Sequence, residues 1–231
     1  AGDTKNWNSG RGFDPIGRLN RTGNGVTGSF SGAFDGICHS IQNLYIRQIG
    51  NQYDGYIGLF EGIGKGGSVG NVNMAGGHIE GTSNFGSIAG LNWGTIYNIV
   101  NSAELVCSSG GVGGIVGTNG GVIRNAVNNG TLKIDGRSGG ITGYNGDTVW
   151  GNTGILLDVK NNGDITSESM GGIGGITGIN SSGSSITGAE NTGLVELKDG
   201  GGSEVGGISG DNDGLIENVK NSGNIKGHIY S

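Results

Sequence analysis

An internal repeat constrains this chain more than any other feature. One phrase recurs through the last two thirds of the sequence. It reads Gly86-Ser87-Ile88-Ala89-Gly90-Leu91-Asn92, Gly114-Ile115-Val116-Gly117-Thr118-Asn119 and Gly140-Ile141-Thr142-Gly143-Tyr144-Asn145, then Gly175-Ile176-Thr177-Gly178-Ile179-Asn180 and Gly207-Ile208-Ser209-Gly210-Asp211-Asn212. The consensus is Gly-Ile-x-Gly-x-Asn. A second phrase follows each copy: Gly94-Thr95-Ile96-Tyr97-Asn98, Gly121-Val122-Ile123-Arg124-Asn125, Gly154-Ile155-Leu156-Leu157-Asp158, Ser184-Ser185-Ile186-Thr187-Gly188 and Gly214-Leu215-Ile216-Glu217-Asn218. Three residues beyond each of these stands an asparagine, at Asn101, Asn128, Asn161, Asn191 and Asn221. Four further on comes an apolar residue, at Leu105, Leu132, Ile165, Val195 and Ile225. The period, counted between Ile88, Ile115, Ile141, Ile176 and Ile208, varies from 26 to 35 residues.

Fixed phrases joined by variable spacers are the pattern of stacked coils, in which equivalent residues must align while the corners between them are free to differ. Each period holds about three short stretches of alternating apolar and polar residues, separated by Gly, Asn, Ser and Asp, which read as strands and turns. The expected fold is all-β: a right-handed parallel β-solenoid of about seven Gly/Asn-rich coils. In it the five isoleucines form a buried column and the five asparagines a hydrogen-bonded ladder up the stack. Seven coils at the strand spacing give a column roughly 35 Å tall. Residues 1–231 read as one domain, with divergent N-terminal coils over 1–80 and the regular repeats over 81–231.

Composition excludes the competitors. Glycine supplies 56 of 231 residues, yet there is a single proline, Pro15, and no three-residue period, so collagen is ruled out. The glycines alternate with regularly placed Ile, Val and Leu at a modest net charge of −6, which argues against disorder. Thirteen Lys and Arg, nowhere clustered, make a poor surface for a phosphate backbone, so no nucleic-acid partner is expected. No apolar run approaches the roughly 18 residues of a membrane-spanning helix. The chain beginning at Ala1 reads as a mature form whose leader has been removed, although a trimmed chain would look the same.

The first 80 residues carry a further set of phrases: Phe13-Asp14-Pro15-Ile16-Gly17, Phe30-Ser31-Gly32-Ala33-Phe34-Asp35-Gly36, Ile41-Gln42-Asn43-Leu44-Tyr45-Ile46 and Gly58-Leu59-Phe60. Together with the Gly-Ile-x-Gly-x-Asn units they resemble the GLUG-motif repeats of bacterial and archaeal surface proteins. The resemblance covers nearly the whole chain. It implies a parallel β-solenoid used as a scaffold in adhesin-like proteins and beside IgA-protease domains, and a secreted, extracellular or cell-envelope location.

Chemistry-bearing motifs are sparse. The three histidines, His39, His78 and His228, are isolated from one another, and no His-Glu-x-x-His is present. Parallel β-helices that cleave polysaccharides bring carboxylates together from adjacent coils. The candidates here, Asp147, Asp158, Asp164, Asp211 and Asp213, fall among Gly and Asn in spacers, where a solvated turn is the default. Asp211-Asn212-Asp213-Gly214 with Glu217 has part of a calcium-loop pattern and lacks the rest. Asn20, Asn129 and Asn180 head N-glycosylation acceptor triplets. No catalytic residue, metal or cofactor is expected, and the chain reads as a non-enzyme.

Cys38 and Cys107 belong to no Cys-x-x-Cys pair. A disulfide between them, within or between chains, is one expectation and a pair of buried free thiols the other. The leading functional reading is a structural protein that self-assembles through strand edges into a sheath, envelope layer or fibre, and so is a homo-oligomer or polymer. The second is an adhesin or stalk in which Trp7, Trp93, Trp150 and Tyr144 stack on a glycan or meet another cell-surface ligand.

Overall fold

The computed structural model describes residues 4–22, 25–49, 55–82, 84–147, 149–168, 171–198 and 204–227. They form a parallel β-solenoid. One face is a six-stranded sheet built from Phe60–Ile63, Ala89–Asn92, Val116–Asn119, Thr142–Asn145, Thr177–Asn180 and Ser209–Asn212, one strand from each successive coil. A larger sheet bends round the rest of the coil. Its first limb runs through Thr95–Asn101, Val122–Asn128, Ile155–Leu157, Ser185–Thr187 and Leu215–Glu217. Its second runs through Glu104–Cys107, Leu132–Ile134, Ile165–Ser167, Val195–Leu197 and Ile225–Lys226, and the long strand Ser68–Gly81 joins both limbs. A third, four-stranded ladder of two-residue strands, Val112–Gly113, Ser138–Gly139, Ile173–Gly174 and Val205–Gly206, closes the coil.

Six strands in the first sheet make six full coils, one fewer than the repeat pattern suggests. Residues Ile16 and Phe30 reach the stack only through single bridges to Phe60 and Ile63, so the N-terminal segment makes a partial rung. The first full coil already lies in register with the regular ones, because Phe60 pairs with Ala89 and Ile63 with Asn92.

Register comes from the phrases and not from the period. Ile88, Ile115, Ile141, Ile176 and Ile208 follow one another up the axis, each amide donating to the carbonyl of the next at 2.9 to 3.1 Å. The first four are fully buried. Parallel columns of Val69, Ile96, Ile123, Leu156 and Ile186, and of Ile79, Leu105, Leu132, Ile165 and Val195, fill the other walls. Burying one such side chain stabilises the fold by about 1.5–3 kcal/mol, and a coil gains this only when its neighbour covers it.

The two ends differ. At the N-terminal end the strand Ser40–Gln48 pairs with Ser68–Gly81 and the chain folds over it in turn: Gly12 bridges antiparallel to Ile46, the Phe13 amide donates to the Tyr45 carbonyl at 2.8 Å, and the Tyr45 amide donates to Thr4 Oγ1 at 2.9 Å. Phe30 and Phe34 pack on Phe60, with ring centroids 4.9 and 5.5 Å away. At the C-terminal end the strands from Val205 to Lys226 pair on one side only among the described residues. Leu215 and Ile225 stand 52% and 47% exposed there.

Candidate interaction surfaces

The asparagine column is a continuous buried ladder. Asn101 Nδ2 donates to Asn128 Oδ1, Asn128 to Asn161, Asn161 to Asn191 and Asn191 to Asn221, each at 2.8 Å. The remaining valences close locally: Asn128 Oδ1 accepts from the Gly130 amide at 3.2 Å while its Nδ2 donates to the Gly130 carbonyl at 2.9 Å. This clasp on the backbone two residues on is the asparagine turn habit, repeated coil after coil. Asn101, Asn128, Asn161 and Asn191 are fully buried, so the ladder faces no ligand.

A second buried ladder runs beside it, made by the asparagine that ends the Gly-Ile-x-Gly-x-Asn phrase. Asn92 donates to Asn119, Asn119 to Asn145, Asn145 to Asn180 and Asn180 to Asn212, at 2.7 to 3.0 Å. Its sequence mark is the same invariant spacing, but only register reveals that the side chains touch. The first ladder also explains the glycine that opens the phrase. A Cβ added at Gly114, Gly140, Gly175 or Gly207 would lie 2.2 to 2.5 Å from the side-chain Cγ of Asn128, Asn161, Asn191 or Asn221.

Outside the coil a third column, Asn71, Asn98 and Asn125, is exposed and hydrogen-bonded at 2.9 and 3.2 Å, ending on Asp35. Its asparagines, with Asp158 and Asn218 at the equivalent corner, adopt φ of 52 to 55°. That is the left-handed region asparagine and aspartate tolerate best among side-chain-bearing residues.

Charged residues also align along the axis. Lys160, Glu190 and Lys220 occupy one register column, with Glu190 3.0 Å from Lys160 and 3.4 Å from Lys220. Lys226 meets Glu196 at 3.4 Å, Lys198 meets Glu168 at 2.6 Å, and Lys133 meets Glu104 at 2.7 Å. The lysine hydrogen bonds hold the carboxyls of Glu190 and Glu104 below their ordinary value. His78 joins the last group, with Nδ1 3.2 Å from Glu104, and its ring stacks on Tyr45. His39 is exposed at a corner and His228 lies outside the described residues.

Of the candidate carboxylates, those of Asp147 and Asp164 are engaged in hydrogen bonds, and Asp211 lies in the strand Ser209–Asn212. Asp147 Oδ1 accepts from the amides of Val149 and Trp150, and its Oδ2 from the Trp93 indole at 2.8 Å. Asp164 accepts from the Leu194 amide at 2.9 Å. Asp158 occupies the left-handed corner, and the Asp213 amide donates to the Asn180 carbonyl. In the calcium-like stretch Asn212 spends its amide on the Gly214 carbonyl, and no group of three metal-binding side chains forms among the described residues.

Of the four aromatics, Trp7 is 52% exposed beside the N-terminal cap, while Tyr144 lies across Gly111. Trp93 and Trp150 come together at 6.3 Å, nearly perpendicular.

The within-chain disulfide is not formed. Cys38 is exposed at a corner where its amide donates to the Asn71 carbonyl, and Cys107 is buried in the strand beside Gly81. Both are free thiols, and only one of them is buried. Ser138 and Ser167 bury hydroxyls with no hydrogen-bond partner.

No helix of the described residues is long and apolar enough to cross a membrane. No protein-family model matches the chain, and no solved structure matches it. Over 102 residues, 44% of its length, the chain is 32% identical to halomucin of Haloquadratum walsbyi (strain DSM 16790 / HBSQ001), of which it spans 1%.

Proposed function

We propose that this chain is a non-enzymatic structural protein of a cell surface, a stiff GLUG-type building block joined to others through its open C-terminal edge. The observation that carries the reading is the contrast between the ends: the N-terminal coil is folded over, whereas both buried asparagine ladders end at Asn212 and Asn221 with nothing paired beyond them among the described residues. In each earlier coil one amide hydrogen goes to the next asparagine; at Asn212 and Asn221 the described residues offer no such asparagine. An unblunted edge of this kind, flanked by Leu215 and Ile225, is a template for strand pairing. The match to halomucin supports the cell-surface location.

Stacking head to tail in register would set Lys226 opposite Arg47 and Asn221 opposite Ile41, which repels charge and leaves the ladder unpaired. Pairing through two C-terminal edges removes the Lys226–Arg47 opposition but sets donor against donor in both ladders, so the contact rests on strand pairing and on Leu215 and Ile225, and a sheath, layer or fibre then needs a lateral contact in addition. Sedimentation across a concentration series tests this. A two-chain species is expected to grow with concentration and to vanish in a Leu215→Lys, Ile225→Lys variant. A native chain that stays monomeric throughout would overturn the proposal.

A further inference from the structure

The corner after the phrase asparagine is short in four of the five regular coils. Between the strand ending there and the next lie two residues at 93–94, 120–121 and 213–214, and four at 181–184. In the third coil there are nine, 146–154. The extra residues form a built loop. Asp147 and Asn152 bridge antiparallel through two backbone hydrogen bonds of 2.7 and 3.1 Å. The Asp147 carboxylate, 4% exposed, ties the Val149 and Trp150 amides to the indole of Trp93 on a coil two steps away. A buried carboxylate held by three donors fixes a loop far more firmly than a bare turn would.

What this frame holds out is apolar. Val149 is 76% exposed and Trp150 36%, the latter propped at 80° against Trp93. Closing the coil needs only two residues, as three of the other coils demonstrate, so the insertion is not explained by the fold. Leaving a tryptophan partly in water forgoes apolar burial, a cost that a ligand covering the ring would recover.

The groups packed against the loop identify the ligand chemistry. They are neutral: Thr153 is exposed beside Gly183 and Asn152 is half-buried beside Gly120, while Ser181 and Ser184 lie buried beneath the loop, where Ser184 Oγ accepts from the Gly154 amide at 3.0 Å. The one charge, Asp147, has both oxygens occupied. An indole flanked by the neutral side chains of Asn152 and Thr153 suits the apolar C–H face of a pyranose ring, whose hydroxyls point sideways toward such groups.

We propose that the loop at 146–153 is a carbohydrate-binding site for a neutral pyranose polymer, with Trp150 as the stacking platform and Asp147 and Trp93 as positioning residues. The site lies on a corner of the coil and is independent of assembly through the C-terminal edge.

Affinity electrophoresis of the whole chain against hydroxyethylcellulose, glucomannan, galactomannan and dextran, with tryptophan fluorescence titration, tests it. At least one polymer is expected to retard the native chain saturably. Trp150→Ala should weaken that binding about tenfold or more with unchanged thermal melting, and Trp93→Phe should weaken it while leaving the Trp150 ring in place. Trp7→Ala should leave it unaltered. No retardation by any of the four polymers, or binding that survives Trp150→Ala, would overturn the proposal.

Discussion

At the scale of single residues, asparagine does two different jobs that look alike in the sequence. Asn128 is fully buried, accepts from Asn101, donates to Asn161 and clasps Gly130. Asn125, three residues earlier, is exposed and holds a left-handed corner. Asn128→Ala strands buried partners above and below and should cost about 3 kcal/mol, read as a fall in the urea midpoint. Asn125→Gly keeps the backbone conformation and should change stability by less than about 0.5 kcal/mol. The spacing Asn98 to Asn101, repeated five times, made the first ladder legible, and the structure places its side chains in contact. That Asn92 and its equivalents form a second ladder was not legible, because the phrase marks their alignment but not whether they point inward. The cysteines separate in the same way. Burial pushes the Cys107 thiol up to about 12, which keeps it from forming the reactive thiolate, whereas Cys38 is exposed. One thiol per chain should therefore react with a maleimide in the native state and two after denaturation. Two fast native thiols would contradict the burial of Cys107.

At the scale of strands, the stack is held in register by columns outside as well as inside. Glu190 lies between Lys160 and Lys220, and these lysines, Lys160 first, hold its carboxyl below the ordinary value of 4.5. A carboxyl depressed in the folded state adds stability that is present above its unfolded value and is lost as pH falls through the folded value. The contribution of this column should thus persist from neutral pH to about 4.5 and fade below it. Glu190→Lys places three like charges in line. The urea midpoint should drop at low salt, and the deficit should shrink as salt screens the column. A deficit unchanged by salt would assign the effect to packing instead. The column follows from the phrases, since Lys160, Glu190 and Lys220 each immediately precede a ladder asparagine, Asn161, Asn191 or Asn221; the sequence reading aligned the asparagines without extending the alignment to their charged neighbours.

At the scale of the whole molecule, coil number was read less well than the fold. The phrases from Phe13 to Phe60 suggested a seventh coil, and Ala33–Asp35 and Ser40–Gln48 do pair with the long strand Ser68–Gly81, but Ile16 and Phe30 reach the six-stranded sheet only by single bridges, so the rung stays partial. The loop at 146–153 was visible only as a long spacer, since the Trp93 to Asp147 contact spans 54 residues of sequence. The ladders carry one further consequence. Every amide in both buried columns donates toward the C-terminal end, as Asn92 does to Asn119, whereas the exposed column donates the other way, as Asn98 does to Asn71. Each column is therefore a polar wire with a sign. The interior wires leave acceptor oxygens facing one pole of the molecule and donor hydrogens facing the other, while the exterior wire runs counter to them and offsets part of the axial dipole. An added coil can extend the interior wires only by offering oxygen to the C-terminal pole, a polarity rule that holds whatever the rest of its sequence.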